Sequence, residues 1–327
     1  MRFNGGSVCI GGPSGSACFP WPEFWVYAGS ATLLLALVLG VLLWDARRVP
    51  TPSEAARRAN RHATLASVVG IAMLVIVLMW MAFAFVLGAR PTDGRVAASL
   101  PALAGACLLA AQAVGQLTWP RPSGSRREAE LAPRGVADVT PSWPRRLGIV
   151  WAGASLVLLG VFALVADGPR SLVREAGRYS EAIGPYPGWY YGVPMALAVL
   201  VTVGAAELVL RMIATRPAVA GVSAEWDLHL RRRSAAHVTR GIQLVLAITV
   251  AGILVAAGWV HLSLGHDYVE LASGGFADEG SPAQGYLGGA LLIAALCVVL
   301  VGLAGVVIPQ GRGRRKAPAA VGATVIS

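Results

Sequence analysis

Glu207 is the only acid set well inside one of this chain's long apolar runs, and Arg211 stands four residues further on. An ionisable group at membrane depth faces a bundle interior or a water-filled cavity and marks ion or solute pathways. The same spacing also allows a plainer reading. Residues i and i+4 are neighbours on a helix, so Arg211 can pair with Glu207 and carry its charge toward the interface. Gln112 and Gln243 are the other conspicuous polar residues within apolar runs. A buried amide serves as an interhelical hydrogen-bond partner or as a ligand for an uncharged solute. Glu207, Gln112 and Gln243 are therefore the candidate substrate-pathway residues.

A second group of residues repeats. Pro20-Trp21-Pro22-Glu23-Phe24-Trp25-Val26-Tyr27 is echoed by Pro185-Tyr186-Pro187-Gly188-Trp189-Tyr190-Tyr191, and each copy leads into an apolar run. Trp21, Trp25, Tyr27, Tyr186, Trp189, Tyr190 and Tyr191 suit a membrane interface, where a ring buries its body and keeps its N–H or O–H wet. The same seven residues could instead form an outer aromatic gate.

Cys9 and Cys18 lie in a Gly- and Ser-rich N-terminal stretch and are candidates for a disulfide closing a short loop. Cys107 and Cys297 fall inside apolar runs, where a small apolar thiol needs no further role. His261, His266, Asp267 and Glu270 cluster in sequence, but the five-residue histidine spacing does not stack two imidazoles on one helix face, and no metal or cofactor is expected. His62 and His237 stand at the starts of two apolar runs. The sequence contains no H-E-x-x-H, nucleophile elbow, Walker loop or C-x-x-C. The last apolar run has no lysine for a Schiff base. An enzyme is not expected.

These residues are positioned by an all-α, polytopic membrane architecture. The chain has 327 residues, 56% hydrophobic and 13% charged, where soluble domains carry about 25% charge. Seven runs reach the roughly 20 residues that a spanning helix needs: Trp25 to Trp44, Ala63 to Leu87, Val96 to Leu117, Leu147 to Val165, Tyr191 to Met212, Ile242 to His261 and Tyr286 to Ile308. The net charge of +10 does not signal nucleic acid, because the basic residues sit in short connections between these runs. Segments 45–62, 118–146 and 213–240, the tail from 309 and Arg211 hold most of the Arg and the single lysine, Lys316. The alternate faces hold more acids than bases. The positive-inside rule then places the N-terminus outside and the C-terminus in the cytoplasm of a plasma-membrane protein.

Further echoes follow the aromatic motif in the same order. Trp44-Asp45 matches Trp226-Asp227, Arg58-x3-His62-x-Thr64 matches Arg233-x3-His237-x-Thr239, and Cys107-x7-Gly115 matches Cys297-x7-Gly305. Spans one to three thus match spans five to seven around a connecting fourth, giving a parallel 3+1+3 pseudo-repeat. The expected organisation is an exported tail (1–24), a first three-helix unit (25–117), a cytoplasmic linker (118–146), a connecting helix (147–165), an outside loop (166–190), a second three-helix unit (191–308) and a basic cytoplasmic tail (309–327). This plan resembles that of the sugar-exporting seven-helix transporters of the SWEET type, although the characteristic prolines of that family are absent from the corresponding spans. The resemblance implies carriage of a small solute at a site between the repeats. The alternative is a non-catalytic accessory or scaffold subunit. The expected partners are the lipid bilayer and either another membrane protein or a second copy of the chain.

Overall fold

In a computed structural model, residues 2–4, 7–12, 15–20, 51–86, 94–120, 135–140, 142–176, 179–219, 221–265, 268–270, 276–278 and 280–307 are described. Helices dominate: α1 (Glu54–Val86), α2 (Arg95–Leu117), the single turn α3 (Val136–Val139), α4 (Ser142–Val165), α5 (Trp189–Thr215), α6 (Ala224–Gly265) and α7 (Pro282–Val307). All except α3 are long and apolar enough to cross a membrane. They cover the second to seventh apolar runs except Leu87 and Ile308, which lie outside the described residues. The first run, Trp25 to Trp44, lies outside the described residues, as do Trp21, Trp25 and Tyr27.

Helix α6 organises the bundle. Its 42 residues extend about 63 Å at 1.5 Å per residue, roughly twice the hydrocarbon thickness of a bilayer. About 67% of its most apolar window is buried, against 17% for α7. Among the described residues, α7, α4, α2, α5 and α1 all pack against it. The apolar run alone locates only Ile242 to His261. The helix begins 18 residues earlier because Glu225 and Asp227 occupy its first turn, where carboxylates meet the positive end of the helix dipole. Leu230, Ala235 and Val238 then keep one face buried through the charged stretch. Helix α1 likewise starts at Glu54, nine residues ahead of its apolar run, with the Ser53 hydroxyl accepting the Ala56 N–H at 3.1 Å.

The helix ends form two layers. One is Arg-rich and gathers the starts of α1, α4 and α6 with the ends of α2 and α5. The other carries the hairpin β4 (Leu172–Ala176)–β5 (Tyr179–Ile183). Between them, Leu74, Leu108, Val209, Ile213, Val238, Val245 and Leu246 form a buried apolar core. A second core at the hairpin end joins Leu159, Phe162, Leu172, Tyr186, Met195, Ile253 and Val260.

Short strands occur where connections alone were expected. The N-terminal stretch contains the antiparallel meander β1 (Arg2–Asn4), β2 (Ser7–Gly12) and β3 (Gly15–Pro20). Strands β6 (Tyr268–Glu270) and β7 (Phe276–Asp278) pair antiparallel between α6 and α7. These strands are only three to six residues long, too short for an alternating hydropathy pattern to stand out. Cys9 falls directly opposite Cys18 in the β2–β3 register, a cross-strand spacing within the Cα range a disulfide spans.

Candidate functional site

Several buried polar groups meet on the seam where α1 and α2 face α6. Ser67 on α1 is the node. Its hydroxyl donates to the Ala63 carbonyl at 3.0 Å and accepts the Gln112 side-chain N–H at 3.2 Å. The Nδ1 of His237, on α6, lies 2.9 Å from the same oxygen. Two turns nearer the start of α1, the Asn60 side-chain oxygen accepts a bond from Arg233 of α6 at 3.0 Å. Ser67, Gln112, Asn60 and Arg233 are all buried. Hydrogen bonding is what makes such burial tolerable. Leu108 closes against Gly241 just beyond this row, toward the bundle centre.

His62, in contrast, makes its contact within the α1–α2 pair. Its Nε2 lies 2.9 Å from the Gly115 carbonyl, and its ring meets Trp119 edge-on with centroids 5.7 Å apart. On the opposite side of the bundle, Gln243 donates to the Gly302 carbonyl of α7 at 3.0 Å. Its own carbonyl oxygen is buried and accepts a bond from no described residue. Gly305 leaves the space this amide occupies, since a Cβ there would lie 3.1 Å from both terminal atoms.

Glu207 stands apart from both glutamines. On α5, it receives the Arg145 guanidinium of α4 at 3.1 Å, and Arg211 approaches its other oxygen at 3.8 Å. The sequence shows the Arg211 pairing through its spacing. Arg145 is 62 residues away in sequence and carries no local signal. Asn60, Ser67 and Arg145 are thus functional candidates that sequence reasoning missed, because single polar residues near apolar runs have no distinctive spacing.

The aromatic motif divides at the hairpin end. Trp189 is 57% exposed, as an interfacial belt residue would be. Tyr186 is 1% exposed and lies edge-on between Phe162 and His261, at centroid distances of 5.6 and 5.7 Å. Its hydroxyl is bonded to no described residue. Burial, then the charge of Asp167, raises its pKa to about 12, so the phenol is neutral under physiological conditions. His261 Nδ1 lies 2.6 Å from the Gln284 side-chain oxygen, tying α6 to α7. Tyr190 carries the Arg95 guanidinium 3.8 Å from its ring centroid and meets Tyr191 edge-on at 4.9 Å. Gly188 lets this segment pass, because a Cβ there would lie 2.7 Å from the Pro169 carbonyl oxygen. His266, Asp267 and Glu270 are not placed with His261: the first two are outside the described residues, and only the backbone of Glu270 is described. Among the described residues, no group of three His, Cys, Asp or Glu is arranged to hold a metal.

No protein-family model, curated protein or solved structure matches this chain.

Proposed function

We propose that this protein carries a small, mainly uncharged solute across the plasma membrane, using the α1–α2–α6 seam as the boundary between two related halves. In this reading the Trp25 to Trp44 run is a seventh span, the Arg-rich end is cytoplasmic, and the 3+1+3 repeat pairs α1 and α2 with α6 and α7. The observation that carries the proposal is the row of cross-seam polar contacts, Arg233–Asn60 and His237–Ser67–Gln112. Beside the Arg233 guanidinium, the row offers amide, hydroxyl and imidazole groups, which can exchange bonds with a hydroxyl- or amide-bearing solute. The repeat has its own support. Helix α1 packs along α2 as α6 packs along α7, while the matched histidines differ in their contacts, His62 reaching Gly115 within its own unit and His237 reaching Ser67 across the seam.

The test is uptake by proteoliposomes from an isotope-labelled panel of sugars, polyols, amides and neutral amino acids. Wild type should accumulate at least one class, and Gln112→Leu should take it up about tenfold more slowly, the equivalent of about 1.4 kcal/mol in lost hydrogen bonding. No uptake of any class above protein-free liposomes would contradict the proposal.

A specific observation also favours the accessory-subunit reading. Gly153 and Gly160 of α4 are exposed, and a Cβ added at either position would meet nothing within 4 Å. Small residues on an open helix face permit close approach by another membrane helix. A stoichiometric second polypeptide retained through gentle extraction, and lost in Gly153→Leu/Gly160→Leu, would establish that role.

A further inference from the structure

At the Arg-rich end, Arg216 immediately follows the last residue of α5 and is only 6% exposed. Its guanidinium lies 3.7 Å from the ring centroid of Trp119. Stacking satisfies the face of the ion but none of its N–H groups. All three guanidinium nitrogens are buried, and none donates to a described residue.

The neighbouring cation does not share this deficit. Arg231 donates to Asp227 at 2.7 Å and to the carbonyls of Ile213, Ala214 and Arg216 at 3.1, 2.8 and 2.7 Å. It therefore caps the end of α5, using the carbonyls that a helix terminus leaves over. Asp227 is engaged by Arg231 in the same contact. Arg216 thus shares its buried surroundings with a second guanidinium and with a carboxylate that Arg231 already engages. A buried charge without a full set of partners is strongly unfavourable. Consistent with this, burial and then the Arg231 charge lower the Arg216 pKa to about 9, with Asp227 opposing. Arg216 remains charged at neutral pH, so the deficit calls for an anion.

We propose that Arg216, stacked on Trp119 beside Arg231, is a binding site for a phosphate group. A planar guanidinium with its donors free matches phosphate oxygens in a forked, two-bond geometry. Pro217 and Ala218, next in the chain, are exposed, so the phosphate reaches the site through a shift of a surface turn and not through the core. A phospholipid headgroup and free inorganic phosphate present the same chemistry. This site is independent of the α1–α2–α6 seam and of the solute-carrier reading.

The experiment is native mass spectrometry of the full chain in neutral detergent, titrated separately with phosphatidylglycerol, diacylglycerol and inorganic phosphate. Wild type should bind one phosphate-bearing ligand, with affinity about tenfold weaker in Arg216→Gln. Arg216→Lys, which keeps the charge but loses the fork, should fall between them and serves if the glutamine variant does not fold. Binding of phosphatidylglycerol alone identifies a lipid site, and binding of inorganic phosphate identifies a soluble-anion site. Equal binding by wild type and both variants, equal binding of diacylglycerol, or no bound phosphate species would overturn the proposal.

Discussion

Tyr186 shows how much a single side chain in the aromatic motif can differ from its neighbours. It is enclosed by Phe162 and His261, and its hydroxyl has no described partner. Removing an unbonded hydroxyl while keeping the ring should leave stability unchanged or raise it. Tyr186→Phe is therefore expected to melt at or above the wild-type temperature, and Tyr186→Ala to lose about 3–5 kcal/mol. The pH dependence follows from the raised pKa. The folded state favours the neutral phenol, so its contribution is complete below the ordinary value of 10 and is lost as pH rises toward about 12. Tyrosinate absorbance should show one late-titrating phenol, absent in Tyr186→Phe. A Tyr186 that titrates with the exposed tyrosines would refute its enclosure.

At the scale of elements, the contact between α6 and α7 depends on close backbone approach. A Cβ at Gly288 would meet the Leu262 amide nitrogen and, at 2.7 Å, the Gly258 carbonyl oxygen, whereas Gly289 has nothing within 4 Å. Backbone cannot yield as a flexible side chain can. Gly288→Val should therefore destabilise by about 1–3 kcal/mol through overpacking, and Gly289→Val should stay within about 0.5 kcal/mol. Thermal unfolding of the two variants in the same detergent makes the comparison; equal melting temperatures would rule out this packing. The N-terminal meander yields a prediction at the same scale. Its register sets Cys9 opposite Cys18. A thiol reagent applied to intact cells should label this pair only after reduction. Labelling without reduction would exclude the disulfide.

For the molecule as a whole, the legible features were those that repeat or persist along the chain. Hydropathy located six of the described helices because twenty-residue apolar runs have few alternative explanations. It missed the first two-fifths of α6, where the buried face continues through Asp227, Arg231 and Arg233 while the composition turns polar. The matched histidines were legible as a pair. Their contacts were not, because Ser67 joins Gln112 and His237 across 45 and 170 residues. Glu207 stood out by type, yet its Arg145 partner emerges only when α4 is laid against α5. The arginines between the apolar runs were readable as a topology signal, but that signal treats them alike. Only packing separates Arg231, whose three guanidinium nitrogens all donate, from Arg216, whose nitrogens donate to no described residue.

Solute carriage between the two proposed halves would require the α1–α2–α6 seam to open. Ser67→Cys and His237→Cys, combined in a chain with its other cysteines replaced, allow the seam to be joined by a short reducible bis-thiol linker in proteoliposomes. The account predicts that linking stops uptake, that reduction restores it, and that either single cysteine variant is unaffected by the reagent. Undiminished uptake by fully linked protein would contradict it.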